Sequence, residues 1–287
     1  MTELWHNLAD PWNQVIMQRA FLELLLLSAS GGALGCWIVF YEASYSAESL
    51  PHAMFPGLVL AALTGIPVVL GGALGLLVAA VAVAMAGRIP AIGRDTAVAF
   101  VVTAFFGLGV LLALSPSSPP GVQTLLFGDI LAISSNDLLV AGLLTLGVLV
   151  ALRLLHSRLL AVGFDRDSAH ALGATPLLAD AAVLALLALA VLVAVQALGN
   201  LLVVAVLIAP AATARLICRR MLPMMITAAG LATVAGVLGL YASFYLRTAA
   251  GASIAATMVL AYLAGAAAAT AGRSAAPARP EGTVAGG

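Results

Sequence analysis

Lysine is absent from this chain; its 12 basic residues are all arginine. A nucleotide-binding P-loop needs G-x-x-x-x-G-K-[ST], so the missing lysine excludes one, and any ATP-driven work has to be done by another polypeptide. Charge of either sign is scarce, at 8% of residues against roughly 25% in an ordinary soluble domain. The arginines match 12 acidic residues for a net charge of zero, which leaves no basic surface for nucleic acid and no acidic tail. Cysteine is limited to Cys36 and Cys218, without C-x-x-C spacing, in or beside apolar runs where a thiol acts as a small buried hydrophobe. H-E-x-x-H, G-x-S-x-G and paired aspartates at helix centres are also missing, so nothing points to an intramembrane enzyme.

What fills the chain is apolar. Of 287 residues 63% are hydrophobic and the mean hydropathy is +1.14. So few ionised side chains could not cover the surface of a globular protein this long, which makes the chain an integral membrane protein. Apolar runs cover about 21–41, 51–65, 67–86, 96–114, 138–155, 177–198, 200–217, 222–246 and 252–271. Most approach the roughly 20 residues that cross a hydrocarbon core, so the expected fold is an all-α polytopic bundle of about eight to nine transmembrane helices. Residues 1–20 lack the basic start of a signal peptide and read as a retained interfacial segment with Trp5 and Trp12. The membrane domain is expected over 21–271, and residues 272–287, rich in Ala, Pro and Gly, as a disordered tail. Ser115–Gly121 reads as an aqueous loop, and 122–134 as a half-helix or surface helix.

Arginine placement orients the bundle. Arg88 and Arg94, then Arg153, Arg158 and Arg166, then Arg215, Arg219 and Arg220 fall on one side, which the positive-inside rule makes cytoplasmic. The Ser/Pro loop and Arg247 then face outward. The loop at 42–50 falls inside, although it carries Glu42 and Glu48 and no arginine. The pairs Gly31/Gly35 and Gly71/Gly75 read as close helix packing.

Ionisable residues near membrane depth are the candidate functional groups, because burying them in hydrocarbon is costly. Glu48 and His52 are four apart and would share a helix face. A carboxylate beside an imidazole suits a divalent transition ion; two ligands fall short of a structural zinc site, but a transported ion must leave again. Two other arrangements fit the same spacing: Pro51 in the first helical turn with Glu48 outside it, or His52 satisfying a backbone carbonyl. Gln196 and Asn200, also four apart, either line a pathway or bridge helices. Pro210 interrupts the next run and frees a backbone carbonyl. Arg158–Pro176 is the one substantial polar segment in the bundle, suited to a short amphipathic helix that docks a soluble partner, or to a plain solvated loop.

At these residues the chain resembles the zinc/manganese-type permeases, membrane subunits of bacterial metal-importing ABC transporters, over about 17–268. Ala47-Glu48-Ser49-Leu50-Pro51-His52-Ala53-Met54-Phe55-Pro56-Gly57 is similar to the family's G-D-A-L-S-H-A-x-x-P-G. Leu126-Phe127-Gly128-Asp129-Ile130-Leu131 looks like L-F-G-x-I-L, and Phe164-Asp165 with Ala169 and Gly173 like F-D-x-x-x-A-x-x-x-G. Gly199-Asn200-Leu201-Leu202-Val203 and Pro210-Ala211-Ala212-Thr213-Ala214 resemble G-x-L-L-V and P-A-A-T-A. The resemblance implies a type II ABC importer permease in the bacterial plasma membrane. Two such chains would form the pathway, ABC ATPase subunits would dock inside, and an extracytoplasmic metal-binding protein would deliver zinc or manganese as the transported substrate. It implies that Glu48 and His52 coordinate the metal, and that Phe164, Asp165, Ala169 and Gly173 form the loop that takes up ATPase motion. It implies no permanently bound cofactor and no enzymatic activity in this chain. Departures are Tyr41-Glu42 for the family's paired arginines, Pro51 for its serine, and Arg247-Thr248-Ala249-Ala250-Gly251 for its D-L-P-S-G. A permease for a metal chelate or vitamin, and a membrane scaffold without transport activity, are the alternatives.

Overall fold

The computed structural model describes residues 10–86, 89, 94–116, 126, 128–169, 173, 175–200 and 202–274. Among them there are nine long helices and no strand. A 3-10 turn, Asp10–Asn13, leads into α1 (Val15–Phe40), followed by α2 (Ser44–Thr64), α3 (Val68–Ala86), α4 (Arg94–Ala113) and α5 (Ser135–Phe164). A single turn, Arg166–Ala169, precedes α6 (Pro176–Leu198), α7 (Val203–Ile217), α8 (Met221–Leu246) and α9 (Ala250–Ser274). The nine apolar runs therefore correspond one to one with nine helices. Six of these, namely α1, α4, α5, α6, α8 and α9, are long and apolar enough to cross a membrane. The others are a 15-residue α7, a 19-residue α3 with no charged residue, and an α2 interrupted by Pro51 and Pro56.

Helix α1 is the hub, packed on α5, α6, α7 and α8. Its small residues let two neighbours approach at once. A side chain on Gly35 would collide with the Leu207 carbonyl of α7, and one on Gly32 would lie 2.6 Å from the Ala229 nitrogen of α8. Backbones this close are a common way to hold helices together where lipid removes the hydrophobic drive. Helices α2, α3 and α4 form a second group, joined to the first mainly through α6. Here Gly71 and Gly75 of α3 face Gly57 of α2, so both G-x-x-x-G pairs do pack helices.

Contacts fix the two ends. The Tyr41 hydroxyl donates to the Leu159 carbonyl (2.8 Å), the Phe40 ring meets Phe164 edge-on, and Arg215 donates to the Val39 carbonyl (3.1 Å). The α1–α2 junction thus lies at the end that carries Arg158, Arg166 and Arg215, where the alternation of helices puts it although it has no arginine of its own. At the other end the Trp12 indole N–H donates to the Tyr241 hydroxyl, and Gln14, Leu131, Arg247 and Thr248 border one cavity. Several boundaries differ from the sequence reading. α1 begins at Val15, inside the expected interfacial segment, and α9 runs to Ser274, past the expected start of the tail. The rest of that tail, most of the Ser/Pro loop and most of 122–127 lie outside the described residues. Gly128–Ser134 is turn and extended chain that ends in a capping box: the Ser134 hydroxyl accepts from the Asp137 N–H, and the Asp137 carboxylate accepts from the Ser134 N–H.

Candidate functional site

Helix α2 starts at Ser44, seven residues ahead of Pro51, so Glu48 is inside the helix, one turn before His52. The arrangement with Pro51 in the first turn and Glu48 outside is thereby excluded. Proline lacks an N–H, so Pro51 and Pro56 deprive the carbonyls of Ala47 and His52 of their intrahelical partners, within a helix that buries both rings. Gly65, at φ 74°, ends the helix in the left-handed conformation. Glu48 is exposed and His52 half-buried, while Phe55 and Val59, further along the same face of α2, are fully buried. No ion pair joins the two side chains among the described residues. Nor does any group of three or more His, Cys, Asp or Glu come together there in metal-binding geometry.

His52 is fixed from two sides. The Phe106 ring of α4 stands edge-on at 4.7 Å between ring centroids, and the Asn200 amide nitrogen lies 3.2 Å from His52 Nδ1. Asn200 is fully buried and its Oδ1 has no hydrogen-bond partner. It sits in the turn between α6 and α7, opened by Gly199 at φ 76°. That turn is braced from outside by Gly128, at φ 73°, so close that a Cβ there would overlap the Leu198 and Gly199 backbone. Two motifs distant in sequence, around Gly128 and around Gly199, therefore meet behind the histidine of a third. Gln196 is half-buried in the last turn of α6, and because Gly199 breaks the helix it does not share a helix face with Asn200. Pro210 is buried inside α7, one turn from where Leu207 and Ala211 receive Gly35.

At the arginine-bearing end α5 runs unbroken to Phe164 and one turn, Arg166–Ala169, follows; within the segment 158–176, where a short helix was expected, residues 170–172 and 174 lie outside the described residues. Phe164 is 79% exposed, an unusual position for a phenyl ring at a water-facing helix end. Asp165 closes α5 in an extended conformation, Ala169 is fully buried, and Gly173 is exposed at φ 73°. The segment is tied down by a bidentate Arg166–Asp180 pair, both bonds 3.0 Å, between the turn and α6. Burial, then the Asp180 carboxylate, pushes the nearby Tyr41 phenol up to about 12, against a smaller opposing pull from Arg166. Tyr41 therefore stays a neutral donor to Leu159.

Sequence reasoning passed over Phe106 and Glu23, and found Gly128 only as part of a motif. Phe106 and Gly128 gave no local signal of their distant partners. Glu23 gave one: it is a carboxylate in the first third of an apolar run, and the structure leaves it 3% exposed with Oε2 unpartnered.

Comparison with known proteins places this geometry. The profile of the ABC 3 transport family matches residues 13–269. The manganese transport system membrane protein MntC of Listeria monocytogenes is 30% identical over 244 residues, covering 83% of this chain and 87% of its own length. The manganese import system permease protein ScaB of Streptococcus gordonii is 31% identical, with 86% and 89% covered. The chelated iron transport system membrane protein YfeC of Yersinia pestis is 31% identical, with 89% and 87% covered. Among solved structures, PsaBC from Streptococcus pneumoniae superposes with a TM-score of 0.85 at 27% identity, over 91% of this chain and 95% of the matched one. On the family match over 13–269 and the superposition on PsaBC, the chain belongs to the ABC 3 transport family, as a multi-pass permease subunit of the bacterial plasma membrane.

Proposed function

We propose that this permease passes a bare divalent transition metal ion, manganese or zinc, inward across the membrane, with Glu48 and His52 as its ligands in the pathway. The observation that carries this reading is an exposed carboxylate one turn from a sterically fixed, half-buried imidazole on α2. A dehydrated ion is expensive in hydrocarbon, and donors at that depth lower the barrier without trapping the ion. One chain supplies two such donors; a second copy facing the first would bring the number to four. ATP would be hydrolysed by partner subunits docked on Phe164, Asp165, Ala169 and Gly173, and a metal-binding protein would deliver the ion from outside. The manganese-named relatives in Listeria and Streptococcus support the metal assignment. The chelated-iron name of the Yersinia relative supports the second reading, an iron chelate.

The test is uptake of labelled manganese, zinc and ferric chelate into proteoliposomes that hold the permease with its ATPase and binding protein, as wild type and His52→Ala. ATP-dependent uptake of a bare ion, lost in His52→Ala while the complex stays assembled, is expected. Normal uptake by the mutant would remove His52 from the mechanism, and uptake of the chelate alone would replace the bare ion as substrate.

A further inference from the structure

His52 has two ring nitrogens, and only one can face the pathway while the other meets Asn200. The contact is on Nδ1, at 3.2 Å, and the Asn200 side chain is sealed from solvent with its second polar atom unpartnered. A neutral imidazole carries one proton, so the group on Nδ1 decides which nitrogen keeps a lone pair. With the amide N–H₂ toward the ring, Nδ1 accepts and the proton rests on Nε2, which then cannot bind a cation. Turned by half a rotation, the amide keeps its volume and presents Oδ1, which accepts a proton from Nδ1 and leaves the Nε2 lone pair free. Either orientation leaves one buried amide atom without a partner, so the protein alone gives neither a large advantage. An ion at Nε2 decides between them.

We propose that Asn200 is a positioning residue that selects Nε2 of His52 as the metal-ligating atom, by accepting the Nδ1 proton through Oδ1 when the ion is present. This rests on His52 being a pathway ligand. Passing from the Nε2–H to the Nδ1–H form releases one proton from Nε2 to water and takes one up at Nδ1, with no net change in charge. A metal-bound histidine usually donates its second N–H to such an acceptor, which fixes ring orientation and raises ligand basicity. The Gly199 turn and the Gly128 brace are what hold the amide there: both glycines adopt positive φ, and there is no room at Gly128 for a side chain. The α6–α7 turn thus meets the group α2–α4 at His52, one of the two residues whose chemistry the ion requires.

The experiment is nitrogen-15 solid-state NMR of full-length, histidine-labelled permease in liposomes, with and without zinc as a diamagnetic ion, alongside zinc affinity by competition. The signals of His52 are identified by their loss in His52→Gln. In zinc-loaded wild type, Nδ1 is expected to be protonated and Nε2 to carry the metal shift. Asn200→Leu, which offers no acceptor, should mix the two forms and weaken zinc roughly 10- to 100-fold. Asn200→Asp, an acceptor only, should keep Nδ1 protonated and bind zinc at least as tightly as wild type, which also guards against a fold defect in the leucine variant. Metal on Nδ1 in wild type, or an Asn200→Leu protein with unchanged affinity and unchanged nitrogen signals, would overturn the assignment of Asn200 alone. Unchanged zinc binding by His52→Gln would instead bring down the metal site itself, and this inference with it.

Discussion

Gly128 and Gly65 have nearly the same positive φ, 73° and 74°, and opposite surroundings. Alanine at either position incurs the left-handed penalty of about 1–2 kcal/mol. At Gly65 nothing lies within 4 Å of the new Cβ, and the penalty ends there. At Gly128 the Cβ would fall on the Leu198 carbonyl carbon, the Gly199 nitrogen and the Ala197 oxygen, all backbone atoms that no rotamer change can move aside. Relieving such an overlap shifts the chain and adds about 1–3 kcal/mol. With about 2–4 °C of Tm per kcal/mol in a chain of this size, Gly128→Ala should melt roughly 2–12 °C below Gly65→Ala. Detergent-solubilised thermal unfolding, run on both variants, measures the difference. Because the displaced backbone carries Asn200, metal uptake should fall in Gly128→Ala and remain near wild type in Gly65→Ala. Equal melting points, or equal uptake, would refute the claim that the Gly128 segment braces the His52 turn.

Phe164→Ala should reduce co-purification with the ATPase subunits while Tm changes little, since the ring is mostly exposed and touches chiefly Phe40. Asp165→Arg should weaken the same association, and an unchanged yield of complex would count against a docking role for this segment. Asp180→Ala, which removes an exposed ion pair, should lower stability by less than about 1 kcal/mol, and the difference should shrink in high salt. Gly147→Ala, with open space around the new methyl, should raise Tm slightly through its better helix propensity, whereas Gly35→Val should abolish folded protein by driving α1 off α7.

The order and number of helices were legible because a lipid-facing helix states itself locally, as a run of apolar residues of the right length. Their ends were less so: α1 continues back to Val15 through Gln18 and Arg19, and α2 begins seven residues before a proline that looked like a starting point. The chemistry of the candidate site was half legible. Glu48 and His52 are one helical turn apart, and that spacing is a property of the chain itself. The contact between His52 and Asn200 spans 148 positions and depends on how α6 meets α2, which no periodicity encodes. The Arg166–Asp180 clamp escaped notice for the same reason, since it crosses a loop whose path the residues do not announce.

The sparse apolarity of α2 has a consequence for biogenesis. A helix with a carboxylate, an imidazole and two internal prolines is not among those long and apolar enough to partition by themselves, and a carboxylate one turn into the helix adds to the cost of insertion. Only Gly65, Ile66 and Pro67 separate it from α3, and the facing glycines 57, 71 and 75 let the two lie nearly backbone to backbone. The natural unit of membrane insertion here is therefore the hairpin: the polar helix that serves the ion enters the bilayer only in the company of its apolar neighbour, and stays at the translocon until that neighbour has been synthesised.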